Sequence, residues 1–193
     1  MNTNMKKQMN VYRLVFTALL AAMVYVGTLI RIPLGESKIQ LANIICVLGG
    51  FLLSPVDAGI AAGLGSALYD VTLGGYDAVG CLITFVSKFM MAFTCSALYR
   101  VYIRKTKKTA KITVSMHLIA AAGALLYVLL YMTKTFLMGI IVDGLTVNGV
   151  WVKMLAKLPA SLINACAAVI VAPPLFIALK LPLDKVGISA HLN

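Results

Sequence analysis

Asp70 and Lys88 interrupt otherwise apolar sequence in GSALYDVTLGGYDAVGCLITFVSKFMMAF, residues 65–93. A charged side chain within a hydrocarbon layer costs several kcal/mol unless it pairs, snorkels or faces water, so the two point to a polar recess. Asp70 lies about four residues from the end of its apolar run, ~6 Å deep, and Lys88 about nine residues into the next, ~14 Å deep. The short GGYDA connection makes these runs neighbours. Lys88 can therefore reach Asp70 as a structural ion pair or line a ligand cavity. In KLPASLINACAAVIVAPPLFIALK, Ser161 and Asn164 stand three apart on one helix face. The Asn164 carboxamide both donates and accepts, which suits either the edge of a heterocycle or a helix-to-helix tie. Tyr131 belongs with Tyr69, Tyr76, Tyr127 and Trp151 to an aromatic group on one side of the runs. Interface anchoring is expected for most of these, and stacking on a ligand for one or two.

The groups that catalysis needs are missing. There is no GxxxxGK[ST], no HExxH and no glutamate within an apolar run, and Ser66 has no histidine at its depth. His117 and His191 lie near the opposite side. Cys46, Cys81, Cys95 and Cys166 have no paired spacing and read as small core hydrophobes, with no metal site and no disulfide frame. No enzyme activity and no cofactor is expected.

The elements that must position the polar residues are membrane helices. The 193-residue chain is 61% hydrophobic and 12% charged, with mean hydropathy +0.96, far above soluble usage. Six apolar runs are expected to span: Val11–Ile30, Ile39–Leu53, Val56–Leu73, Val79–Ile103, Ile112 to about Gly139, and about Leu158–Leu179. The fold class is all-α, one polytopic domain over 1–193. Pro159 falls in the first turn of the last helix, where its missing donor costs nothing, and Pro173 and Pro174 are expected to kink it. IIVDGLTVNGVWVKMLAK reads as the longest loop, its DG and NG turning around a short extended segment.

The net charge of +11 could suggest nucleic acid. The basic residues instead flank the spans, eleven on the side of the termini against five on the other, which places both termini in the cytoplasm and accounts for the charge through anionic lipid. The loop RVYIRKTKKTAK is the strongest such signal. Ala18 and Ala22, four apart in TALLAAMVYVG, permit close helix approach, as do Gly59 with Gly63 and Ala62 with Ser66; internal packing and a partner interface remain equally open for each.

The stretch ALLAAMVYVGTLIRIPLGESKIQLANIICVLGGFLLSPVDAGIAAGLGSALYDVTLGGY, with ITFVSKFMMAF and KLPASLIN, resembles the substrate-binding S components of energy-coupling factor (ECF) vitamin transporters, closest to the riboflavin-type branch. The resemblance covers nearly the whole chain. It implies a six-helix bundle with an outward pocket capped by the first and third outer loops, and a complex with a membrane coupling subunit and two cytoplasmic ATPases. It implies substrate contacts at Lys88, Asn164, Asp70, Ser161 and Tyr131, and a coupling-subunit surface at Ala18 and Ala22. Ser161 and Asn164 stand where relatives carry asparagine and glutamine, so both polar side chains are shorter here. Riboflavin, a pyridoxine-like compound and a thiamin pyrimidine precursor all fit this reading. A self-sufficient secondary transporter would be expected to show repeated halves, and none is seen. A structural membrane subunit would leave Lys88 without a purpose beyond pairing.

Overall fold

The computed structural model describes residues 3–34, 37–106 and 114–185, with the side chains of the first helix described from Val11 onward. Lys107, Lys108, Lys111 and His191, and the side chains of Lys6 and Lys7, lie outside the described residues. Six α-helices follow one another: α1 Thr3–Leu29, α2 Ala42–Leu52, α3 Pro55–Tyr69, α4 Ala78–Thr106, α5 Val114–Ile141 and α6 Val147–Lys185. A π-helical segment, Asp70–Gly74, continues α3.

The chain is not purely helical. RIPL and SKIQ form antiparallel strands β1 (Arg31–Leu34) and β2 (Ser37–Gln40), in register Arg31↔Gln40 and Ile32↔Ile39. Four-residue strands are too short for alternation to stand out in sequence, and Pro33 argues against a strand; here it sits on an edge strand, where a missing donor is tolerated. The hairpin delays α2 to Ala42, three residues beyond the expected start at Ile39.

By length and composition, α1 from Val11, α4 to Lys105, α5 and α6 can each cross a membrane. At 11 and 15 residues, α2 and α3 extend only ~17 and ~23 Å against a hydrocarbon core of ~30 Å. The reason α2 is apolar on every side is burial within the protein: it packs against α1, α3, α4, α5 and α6, and its Ala42, Cys46, Val47, Leu48 and Phe51 are core residues.

Small residues set the closest crossings. A Cβ on Gly59 would stand 2.6 Å from Phe89, and one on Gly63 2.8 Å from Phe85, so α3 lies directly against α4. These small residues, like buried Ala62 and Ser66, pack inside the bundle. At the end opposite the hairpin, Ser54 caps α3 and Pro55 opens its first turn. Arg13 of α1 donates to Asp57 Oδ2 from Nε (2.9 Å) and Nη2 (2.5 Å), and to Ser54 Oγ (3.1 Å). The α2–α3 turn is thereby tied to α1, and Ser96 Oγ ties it to α4 by donating to the Leu53 carbonyl at 2.7 Å.

The longest expected loop is helical. Only residues 142–146 separate α5 from α6, with Gly144 at φ 61° taking the left-handed turn of DG. The NG pair does not turn, because Thr146 caps the new helix by accepting from the Gly149 amide (3.3 Å). Consequently Pro159 is an interior residue of α6 and not a first-turn one; its ring removes one helical hydrogen bond, which flanking turns of a 39-residue helix can carry.

Candidate ligand cavity

Between the hairpin and the helix ends beside it lies a cavity of about 660 Å³, its open mouth included. Every one of its described lining residues carries a polar side chain. The helices supply them at helical spacing: Ser66 and Asp70 from α3 and its π continuation, Thr84, Ser87 and Lys88 from α4, Tyr127, Tyr131 and Lys134 from α5, and Ser161 and Asn164 from α6. β2 adds Ser37, Lys38 and Gln40. All five residues expected at a ligand site, Lys88, Asn164, Asp70, Ser161 and Tyr131, border this one space.

Lys88 is 2% exposed. Its ammonium donates to Asn43 Oδ1 and lies 4.3 Å from the centroid of the Tyr127 ring. It forms no ion pair with Asp70; a carboxamide and an aromatic face hold it instead, leaving donor capacity toward the cavity. Asp70 is buried at the junction of α3 with the π segment. The wider π turn, a form frequent at functional sites, ends at Gly75, whose φ of 67° reverses the chain before Asp77 caps α4.

Asn164 serves the hairpin. Its Oδ1 accepts from the Gln40 amide (2.8 Å), and its Nδ2 donates to the Lys38 carbonyl (2.9 Å). Residues 38 and 40 present these groups on the same edge of β2, so the carboxamide takes the place of a neighbouring strand. Tyr131 stacks beside Tyr127, with ring centroids 6.0 Å apart. Ser161 Oγ, Ser66 Oγ and Gln40 Oε1 are buried and have no hydrogen-bond partner among the described residues. Such atoms are costly unless something fills them.

Other contacts close the hairpin side. Arg31 Nη1 donates to the Tyr69 hydroxyl at 2.7 Å, and the Lys38 ammonium stands 4.7 Å from the same ring. Burial lowers the Lys38 pKa, with Asp70 opposing the shift and Arg31, Lys88 and Lys134 adding to it as like charges. Burial likewise raises the Tyr76 hydroxyl, reinforced by Tyr131 and Asp70.

Tyr69 and Tyr127 are thus buried residues and not interface anchors, whereas Trp151 is exposed. Lys38 and Lys134 also line the cavity, although neither is among the residues expected there. Lys134 Nζ donates to the Gly80 carbonyl (2.9 Å) and Thr84 Oγ1 (2.8 Å). The signal was present in the spacing Tyr127, Tyr131, Lys134, which is i, i+4, i+7 on one helix face. Ala18 and Ala22 are both exposed, on the outside of α1 alongside Leu14, Val15, Leu19 and Met23.

The family profile described as "ECF-type riboflavin transporter, S component" matches residues 8–181. The chain belongs to that family. A solved structure described as that of the S component of a bacterial ECF transporter superposes with a TM-score of 0.62 at 19% identity, covering 90% of this chain and 96% of the other. At that identity the likeness establishes the S-component fold. No curated protein matches the sequence. The family is one of substrate-binding transport components, so this S component is a multi-pass membrane protein whose cavity, and not a catalytic centre, is the feature to interpret.

Proposed function

We propose that this S component captures a small water-soluble vitamin or vitamin precursor from outside the bacterial plasma membrane. It releases the compound inward when coupled to an ECF module made of a membrane coupling subunit and two cytoplasmic ATPases. The observation that carries this reading is the polar cavity itself, with Lys88, Asp70, Tyr131, Ser161 and Asn164 around one space and several buried polar atoms awaiting partners. All six helices cross or fill the membrane as one domain, with the hairpin end outward. Arg13, Arg100, Arg104, Lys105, Lys180 and Lys185 support this orientation, since they belong to the helix ends away from the hairpin. The exposed Ala18 and Ala22 face offers the coupling subunit a close approach.

Native mass spectrometry of the gently purified protein, followed by denaturing extraction, tests the proposal. A bound vitamin or precursor that is lost on Lys88→Ala, while the ATPase subunits copurify with the intact protein, is the expected result. A folded protein that is always empty and gives no thermal shift with a vitamin panel would refute substrate capture.

A further inference from the structure

The cavity gathers ammonium groups from three separate elements: Lys38 from β2, Lys88 from α4 and Lys134 from α5. Among the described residues, Asp70 is the only acidic one lining it. Among the described residues, three cations against one carboxylate leave an excess of two positive charges in a partly enclosed recess. Like charges brought together away from bulk water repel one another strongly, because the effective dielectric falls. The partners these lysines have are neutral: Asn43 and the Tyr127 ring for Lys88, the Gly80 carbonyl and Thr84 for Lys134, and the Tyr69 ring for Lys38. Its two hydrogen bonds leave one N–H of Lys134 available, and Lys88 and Lys38 have more.

We infer that the ligand of this cavity is an anion, a small polar molecule bearing a carboxylate or phosphate that sits among Lys38, Lys88 and Lys134. This rests on the cavity being a substrate site, as proposed above, and it narrows the ligand beyond what membership of a riboflavin-transporter family conveys, since riboflavin is uncharged at neutral pH. Asp70 then limits the attraction and keeps the empty site hydrated and open to exchange. The unpartnered Gln40 Oε1, Ser66 Oγ and Ser161 Oγ meet hydroxyl or amide groups on the rest of the molecule.

Matched pairs that differ in charge and little else test the inference: nicotinate with nicotinamide, pantothenate with pantothenol, and pyridoxal phosphate with pyridoxal, together with riboflavin. Each is added to the purified full-length protein, and thermal shift and calorimetric affinity are read. Any compound extracted from the protein as purified is placed by its retention on anion exchanger at pH 7. The expected result is an anionic extracted compound or binding confined to the charged member of a pair. Lys38→Gln should weaken that binding on the order of tenfold or more, and Asp70→Asn should strengthen it. Lys38 lies on the hairpin and outside the helical core, so its variant keeps the fold needed for the comparison. Tight binding of riboflavin or another neutral or cationic compound, insensitive to Lys38→Gln, would overturn the anion while leaving substrate capture intact. Weaker anion binding in Asp70→Asn would also overturn it, because Asp70 would then be a direct contact. A protein that carries no compound and binds no member of the set removes substrate capture and the anion together.

Discussion

Replacing Asn164 by leucine should free the β1–β2 hairpin without unfolding the bundle. The substitution removes two hydrogen bonds, from the Gln40 amide and to the Lys38 carbonyl. Each is worth about 1 kcal/mol net, and more where the abandoned backbone group stays away from water. Since Gln40 and Lys38 are only half-buried, water can partly replace the carboxamide, and the loss comes to about 2–3 kcal/mol for the pair. That is roughly 30- to 150-fold in the equilibrium for lifting β2 from α6. Hydrogen exchange of the detergent-solubilised protein reads this directly: amides of residues 37–40 should exchange faster by that factor, whereas those of α2 should hold their rate. Asn164→Asp keeps the acceptor for Gln40 and loses the donor to Lys38, so its effect should reach at least half as far in free energy. Wild-type exchange at Gln40 in Asn164→Leu would refute the assignment of Asn164 as the hairpin's third partner. Equal acceleration in β2 and α2 would show that the residue supports the whole bundle and not the hairpin in particular.

Gly59→Val should lower the melting temperature through a 1–3 kcal/mol overpacking penalty, because a Cβ there stands 2.6 Å from Phe89; loss of the fold at ordinary expression temperature would be the extreme of the same effect. Arg13→Gln should cost only about 1 kcal/mol, as the Arg13 side chain is 38% exposed, and the deficit should shrink as salt is raised in thermal melts. Ser54→Ala, which removes the α3 cap, should cost about 0.5–2 kcal/mol in the same assay and, unlike Arg13→Gln, should respond little to salt. For Lys38 the sign follows from its lowered pKa: the unfolded chain holds the proton more firmly, so the charge opposes folding below the folded pKa, and stability is recovered as pH rises from there toward 10.5. Lys38→Met should therefore be more stable than wild type at neutral pH, with the advantage narrowing toward pH 10, as melts across that range would reveal.

The helices were legible because burial and lipid impose the same apolar composition, and five residues that border the cavity were legible because polar groups within apolar runs need a reason to be there. Composition could not separate a helix facing lipid from one enclosed by its own neighbours, which is why α2 reads as a span although its 11 residues serve as the centre of the bundle. The hairpin was hidden by its brevity and by Pro33. DG and NG look alike in sequence, yet Gly144 turns and Gly149 sits in the first turn of α6 under the Thr146 cap. The partners of Asn164 were beyond reach, since a carboxamide bound to backbone 124 and 126 residues away leaves no local trace. Lys134 was missed for a different reason: it was weighed only as one basic charge toward the end of an apolar run, while its alignment with Tyr127 and Tyr131 places it in the cavity.

The packing of α2 against α6 bears on how the chain is made. With only 11 residues, α2 emerges early in synthesis yet is too short to hold itself across a bilayer of ~30 Å. Of its neighbours only α1 precedes it, and the last to arrive, α6, carries the asparagine that fastens the strand leading into it. Closing contacts over so many residues is slow. The nascent chain must therefore keep an apolar segment waiting until the final helix is inserted, and a ribosome that stalls before residue 164 leaves a product with neither a completed cavity wall nor a fastened hairpin. Quality control could recognise such a product by the unclaimed α2, well before any question of ligand binding arises.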